Sequence, residues 1–304
     1  MPEIIEVLIT SQFLNYKIKN KKIKEIILFD EGKIKNKIRN FDKLILNLPL
    51  KVAEVSSKGK MLYFVLKDND NNKYYLISTF GLFGRWFDSD DDLKHKRLMM
   101  KFDKINIYYD DRTNYGNMYF YDDKKEFLKK IESIAPDFLR NDLNLNIFKS
   151  RIEYLIKNKK MENKKIYEIL MNQEKGKSLG SGLGNYLTAE ILYDAKISPH
   201  TKLKDIYSNT NLIKKLMNSI KKIIKHSYVS STVGYLEYLS TFKKDHRKMI
   251  KENHFPNFHP ETKIPKKDFK FKIYGQDEDP YGNKVVKDVI INGRKTHWVK
   301  EIQV

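Results

Sequence analysis

Gly180-Ser181-Gly182-Leu183-Gly184-Asn185 is the stretch on which the reading of this chain turns. Leu187, Ile191, Leu192 and Ala195 follow at a spacing that predicts a helix, with Asn185 at its start. Gly176-Lys177-Ser178 just upstream resembles the end of a phosphate-binding P-loop, but the earlier glycine that motif requires falls on Met171. The dinucleotide-binding pattern fails as well, because no predicted strand precedes the glycines. What remains is a glycine-rich turn between two helices. It is open to two readings: a tight interhelical connection, or a seat for phosphate on helix-start amides.

Working outward, the segments on either side differ in period. Leu212, Ile213, Leu216, Met217, Ile220, Ile223 and Ile224 fall on one helical face downstream. Upstream, from about Lys22 to Tyr121, short β-rich runs dominate: Ile23 to Phe29, Leu44 to Leu50, Met61 to Leu66, Tyr74 to Ser78, Leu98 to Phe102, Ile105 to Tyr109 and Met118 to Tyr121. Turn clusters such as Asp68-Asn69-Asp70-Asn71-Asn72 separate them. Strands of this length and spacing predict a β-sandwich. A helix from Pro2 to about Tyr16 precedes the strands, carrying Ile4, Ile5, Leu8 and Ile9. Ala135-Pro136-Asp137 reads as a boundary. The tail returns to strand character at Phe269 to Tyr274, Val285 to Ile291 and Thr296 to Val299. The fold class expected is therefore α+β, with a β domain over 1–135, an α domain over 136–255 and a small β appendage over 256–304.

The 304 residues carry 59 Lys and Arg against 39 Asp and Glu, a net charge of +20. An unbalanced excess of that size favours a polyanionic partner, and nucleic acid is the expectation. Lys, Asn and Ile abound together, as an AT-rich coding sequence would also produce. There is no cysteine, so disulfides and thiolate metal sites are excluded. No stretch approaches the roughly 20 apolar residues of a membrane span, and the N-terminus lacks a signal-peptide core. A soluble, intracellular, monomeric protein with no membrane association and no cofactor is expected.

The chain begins Met1-Pro2-Glu3, with Glu6 one turn on. Pro at the first helical position with acidic residues behind it is an ordinary helix start. Trimming of Met1 would turn the same residues into a reagent. A terminal Pro2 is a secondary amine, able to attack an electrophilic carbon and collapse to an iminium. The helix dipole disfavours the protonated amine while the Glu3 carboxylate favours it, so the sequence leaves the net direction of its pKa open.

Met1-Pro2-Glu3 with Glu6, the Gly182-Leu183-Gly184-Asn185 turn, and Gly293-Arg294-Lys295-Thr296-His297-Trp298 occur in the order seen in one group of proteins. The chain resembles the formamidopyrimidine-DNA glycosylase/endonuclease VIII family of base-excision repair enzymes over essentially its whole length. The resemblance implies an N-terminal helix plus two-layer β-sandwich, a helix–two-turns–helix domain and a C-terminal β-hairpin finger. It implies Pro2 as the nucleophile on the sugar's anomeric carbon and Glu3 as the general acid/base. Lys60, in Ser57-Lys58-Gly59-Lys60, matches the hairpin lysine that holds a phosphate beside the lesion, although a solvated hairpin charge would read the same. Asn185, with Gly182 and Gly184, matches the turn that grips backbone phosphate. Arg294 matches the finger arginine that contacts the phosphate near the flipped nucleotide.

Two departures from the family pattern are informative. Family members commonly bind zinc through a Cys-x-x-Cys pair on each side of the finger. Tyr274-Gly275 and Pro280 set the register here, and the four positions fall on Tyr281, Lys284, Val299 and Ile302. The chain thus resembles the zincless-finger, endonuclease VIII-like branch, in which packing replaces the metal, and a viral source is compatible with it. His246, His254 and His259 fit no zinc spacing, so no metal is expected. In purine-specific members an Asp-Pro-Arg-Arg-Phe-Gly loop helps to fill the hole left by the flipped base. Here it reads Asp111-Arg112-Thr113-Asn114-Tyr115-Gly116. Phe80-Gly81-Leu82-Phe83-Gly84 resembles instead the endonuclease VIII wedge, which makes Leu82 and Phe83 the wedge candidates, with burial in a strand as the other reading. Tyr115 joins Glu6 among the candidate DNA-site residues. The turn before Gly180 is a few residues longer than usual, and Ile4-Ile5 stands where many members carry Gly-Pro.

These features predict a bifunctional DNA glycosylase and abasic-site lyase on oxidised bases, pyrimidines in particular, acting through a proline Schiff base and β,δ-elimination. The partner expected is damaged DNA, duplex or single-stranded. A DNA-damage-binding protein that keeps the scaffold without catalysis is the alternative. A ribosomal-type RNA-binding protein would explain the charge but not the N-terminus.

Overall fold

The computed structural model describes residues 1–29, 34–139, 143–230, 268–291 and 293–304, with the backbone alone at 289–291 and 294. They form two compact units, Met1–Glu132 and Ser133–Val304. The division falls three residues before the expected boundary after 135. The second expected boundary, at 255/256, lies outside the described residues.

The first unit opens with helix α1, Ile4–Ile18. Its residues are buried almost all round, including Glu6, Thr10 and Ser11. A helix without a polar face belongs inside a domain, and α1 packs against the strands β4 (Leu50–Lys58) and β5 (Met61–Lys67). The Thr10 and Ser11 hydroxyls are satisfied within the helix, donating to the Glu6 and Leu8 carbonyls at 2.7 Å.

Two sheets follow. With β1 (Lys22–Ile23), β3 (Ile38–Arg39), β6 (Lys73–Thr79) and β10 (Met118–Tyr121), the six-stranded sheet runs β1-β4-β5-β6-β10-β3. The four-stranded sheet runs β2-β8-β9-β7, built from β2 (Glu25–Leu28), β7 (Arg85–Phe87), β8 (Lys96–Lys101) and β9 (Asn106–Asp110). Trp86 joins the layers. Its ring meets Phe64 edge-on at 5.5 Å, and its Nε1 donates to Ser78 Oγ at 3.2 Å, so the one polar atom of a fully buried indole is paired. Helix α3 (Lys124–Glu132) covers the six-stranded sheet through Phe127, stacked on Tyr75 at 4.1 Å.

One expected strand is wrong in kind. Leu44 to Leu50 alternates apolar residues, yet Phe41–Leu46 is the short helix α2, and the strand starts at Leu50. Leu44 and Leu50 are buried while Leu46 is 83 % exposed, so the alternation does not mark one buried face.

The second unit contains α4 (Leu145–Lys159), α5 (Ile166–Met171), α6 (Asn185–Ala195), α7 (Leu203–Tyr207) and α8 (Thr210–Ser230). Helix α8 contains the predicted apolar face, with Ile213, Leu216, Ile220, Ile223 and Ile224 buried. A hairpin of β11 (Val286–Ile291) and β12 (Arg294–Trp298) lies near the C-terminus. Phe269 to Tyr274, expected as a strand, bends instead. The amides of Lys272, Ile273 and Tyr274 all turn onto the carboxylate of buried Glu190, at 2.9–3.0 Å. A segment whose successive amides point at one acceptor cannot alternate as a strand does. Among the described residues no helix is long and apolar enough to cross a membrane.

Candidate active site and nucleic-acid interface

The N-terminal corner is built from residues close together in sequence. Glu3 caps α1, and the helix start closes as a capping box: the Glu6 carboxylate accepts from the Glu3 amide at 3.0 Å, and the Glu3 carboxylate accepts from the Glu6 amide. Pro2, Glu3 and Glu6 are all buried, Glu3 to 2 % exposure. The terminal amine, carried by Met1, sits in the field of Glu3, Glu6, Lys60 and Arg85. Burial lowers its pKa from the usual 8.0; the two carboxylates oppose that, and the two cations add to it. For the amine carried by Met1 the balance is downward, with desolvation as the main cause.

Lys60 arrives on the β4–β5 hairpin. Lys58 pairs with Met61, leaving Gly59-Lys60 as a two-residue turn, and Lys60 Nζ lies 3.9 Å from Met1 Sδ. Its neighbour Lys58 is directed elsewhere, donating to the Ile131 carbonyl at 2.7 Å. The spacing of the two lysines thus sends one to the helix start and the other to the base of α3. Arg85, at the start of β7, escaped the sequence reading. Nothing local marks it, since only the tertiary fold brings it within electrostatic reach of the amine.

The wedge candidates lie on the β6–β7 turn. Leu82 is half-buried and Phe83 is 39 % exposed, so neither is a strand core residue. The Arg112 guanidinium stacks over Phe83 at 4.4 Å, and Tyr115 nearby in sequence is 60 % exposed. The Asp111 carboxylate shapes the loop, accepting from the Thr113 amide, the Thr113 hydroxyl and the Gly116 amide at 2.8–3.0 Å. Glycine is required at 116: a Cβ there would come within 1.8 Å of the Tyr109 hydroxyl and 2.8 Å of the Thr79 carbonyl. Both loops therefore rest on Tyr109, which is buried and donates to the Thr79 carbonyl.

In the second unit the glycine-rich turn is braced from within. Gln173 accepts from the Gly182 amide at 2.6 Å and donates to the Leu183 carbonyl at 2.9 Å, and Arg151 holds the Leu179 carbonyl at 3.1 Å. Gly182 sits at φ +110°, a conformation L side chains rarely adopt. Gly184 is the N-cap of α6 and Asn185 its first residue, as the sequence predicts. Asn185 Oδ1 accepts from the Tyr167 hydroxyl at 2.5 Å, and its Nδ2 donates to the Lys295 carbonyl at 2.9 Å. Gln173 and Tyr167 were also missed by the sequence reading, because a single chain gives no sign that they fold back on the turn. Arg294 begins β12 with its backbone opposite Ile291.

The four positions that correspond to zinc ligands divide. Tyr281 and Lys284 are exposed, whereas Val299 is fully buried and Ile302 packs on the same cluster, with Ala189, Tyr193, Ile273 and Val285. Asp279 organises the first of the two turns, accepting from the amides of Tyr281 and Asn283, the Asn283 side chain and the Tyr193 hydroxyl. Among the described residues no cluster of three or more His, Asp or Glu could hold a metal. His246, His254 and His259 lie outside the described residues.

Comparison with known proteins supports this reading of the fold. Residues 1–118 match the formamidopyrimidine-DNA glycosylase N-terminal domain, and residues 260–304 match the C-terminal domain of the same protein. A formamidopyrimidine-DNA glycosylase of Prochlorococcus marinus is 26 % identical over the full length of both chains. That of Ureaplasma parvum is 29 % identical over 68 % of this chain and 71 % of its own. The fold is shared with Lactococcus lactis Fpg in complex with DNA containing an oxidised pyrimidine, at TM-score 0.73, 23 % identity and 99 % coverage of both chains. It is shared equally with MutM bound to DNA containing carbocyclic 8-oxo-G, at TM-score 0.74, 21 % identity and full coverage of both. The chain belongs to the formamidopyrimidine-DNA glycosylase family. Its lack of cysteine fits the branch whose finger has no zinc.

Proposed function

We propose that this DNA glycosylase of base-excision repair also acts as an abasic-site lyase, using the amine of Pro2 once Met1 is removed. The observation that carries the reading is the position of Pro2, buried at the start of α1 next to the buried carboxylates of Glu3 and Glu6, where Lys60 and Arg85 are close enough to act on the terminal amine that Met1 now carries. The same surroundings acting on the Pro2 amine would keep it neutral, and so nucleophilic, over more of the pH range than an exposed terminus. It attacks the anomeric carbon as the glycosidic electron pair leaves with the damaged base. Loss of the amine proton and opening of the sugar ring give the iminium, with Glu3 as the proton donor and acceptor. The iminium acidifies the neighbouring sugar carbon. Loss of that proton expels the 3′ phosphate, and a second elimination expels the 5′ phosphate.

Lys60, Asn185 and Arg294 act on phosphates, and such contacts carry affinity without base specificity. Leu82 and Phe83 are the wedge, with Tyr115 beside them. Phe83 is exposed and held by Arg112, which supports insertion of an aromatic side chain into the stack. With Thr113 in place of the expected arginine, this wedge favours oxidised pyrimidines over oxidised guanine.

The test is borohydride trapping on an abasic-site oligonucleotide. The protein with Met1 removed gives a covalent adduct, and Pro2→Gly gives far less. No adduct from the trimmed protein would overturn the lyase reading. Lesion oligonucleotides carrying thymine glycol, dihydrouracil or oxidised guanine test the substrate. Preference for oxidised guanine opposite cytosine, with little action on the pyrimidines, would reverse that assignment.

A further inference from the structure

Asn185 is held at both ends. Its Oδ1 takes the Tyr167 hydroxyl at 2.5 Å, and its Nδ2 gives a hydrogen to the Lys295 carbonyl at 2.9 Å. The Lys295 carbonyl can only accept, so it fixes which end of the carboxamide faces β12. The oxygen end is then left to Tyr167, which must donate. The two contacts together define one orientation where an unrestrained carboxamide has two.

The tethers come from different parts of the second unit. Tyr167 lies on α5 and is fully buried; Lys295 lies on β12, next to Arg294. Asn185 therefore ties the strand that begins with Arg294 to the start of α6, through residues far apart in sequence. Its Nδ2 carries a second hydrogen, and the fixed orientation determines where that hydrogen points.

We propose that Tyr167 is a positioning residue for DNA binding: with the Lys295 carbonyl it locks Asn185 so that the glycine-rich turn and the finger strand meet the DNA backbone in one fixed register. This rests on the reading of Asn185 as a phosphate contact. Tyr167 is fully buried and does not itself reach the DNA, so what this hydrogen bond contributes to affinity passes through Asn185.

The experiment is a double-mutant cycle, measuring Kd for a duplex with a tetrahydrofuran abasic site, and KM and kcat on a cleavable lesion. Tyr167→Phe is expected to raise Kd about three- to tenfold, the scale of one hydrogen bond, with the loss falling in KM more than in kcat. Asn185→Ala is expected to weaken binding at least as much, and Tyr167→Phe to add nothing on top of it. Asn185→Asp keeps an acceptor for Tyr167 but sets oxygen against the Lys295 carbonyl, and should lose as much affinity as Asn185→Ala. If Asn185→Ala leaves Kd unchanged, the phosphate reading fails. If Asn185→Ala weakens binding and Tyr167→Phe does not, or if the two losses add in full, the locking role is overturned while the phosphate contact stands.

Discussion

Both candidate sites are built on helix N-termini, and the two termini are finished in opposite ways. Helix α1 is capped by its own acids, with Glu3 and Glu6 closing a reciprocal box. Helix α6 begins after Gly184, which has no side chain to accept from the first turn. A helix start is positive and rich in donor groups. Carboxylates at α1 meet that demand internally and leave a corner suited to an amine and the chemistry of proton transfer. Glycine at α6 supplies no internal anion, which suits an external one. The same backbone physics is thus compatible with the proposed reagent in the first unit and the proposed phosphate contact in the second. Side-chain choice at one or two positions makes the difference.

Glu3→Gln should break the first site most severely. Glutamine keeps an acceptor for the capping box but cannot exchange a proton with the sugar. Single-turnover excision should fall by about 10²–10⁴-fold, the usual range for loss of a general acid/base, with Kd for the same duplex within about threefold. A comparable loss in Kd would mean that the acidic helix start is itself a binding element, and the contrast between the termini would fail.

Gly182→Ala tests the second terminus. At φ +110° an alanine is strained, and the cost should be about 1–3 kcal/mol in urea unfolding of the second unit. DNA affinity should weaken with it, while trapping at saturating DNA persists.

How far the sequence revealed these sites follows from how local each is. The capping box spans only four residues, Glu3 to Glu6, so Pro2, Glu3 and Glu6 were legible as a helix start from the residues alone. The same holds for Asn185 and for the apolar face of α8. What needed the fold was everything that arrives from elsewhere: Arg85 beside the amine, Tyr167 on Asn185, and Gln173 inside the glycine turn. The misread elements have the same cause. Phe269 to Tyr274 has strand composition, but Glu190, some 80 residues away in sequence, gathers its amides into a bend. Strand β4 was missed because its pattern carries Lys51, Glu54 and a half-buried Ser56-Ser57-Lys58, which only the neighbouring β5 explains. The roles proposed for Lys60 and Arg294 rest on resemblance, since nothing local in the sequence distinguishes them from other cations.

Glu6→Ala sharpens the contrast from the stability side. Removing the acceptor for the Glu3 amide should cost about 0.5–2 kcal/mol, as for other N-cap losses, read by urea unfolding. It also removes one of the two carboxylates that raise the pKa of the amine on Met1, and with the same effect on Pro2 the variant's trapping profile should move to lower pH.

The smallest expected effect isolates the cations. Lys60 and Arg85 both lower the pKa of the amine on Met1, Arg85 the less of the two, and they are expected to act in the same sense on Pro2 one residue away. A nucleophilic amine gains activity as pH rises through its pKa, so lowering the pKa moves the rising limb of the trapping profile to lower pH. Arg85→Ala removes one downward pull, and the limb should move to higher pH, opposite to Glu6→Ala. Measuring trapping rates across pH at saturating abasic-site DNA separates the two directions. If both variants shift the limb the same way, the charges around the amine are not setting its proton affinity, and burial alone would account for the lowered value. Opposite shifts would show that the acid-capped helix start is tuned by the tertiary cations as well as by its own carboxylates, a balance the glycine-capped start of α6 has no means to make.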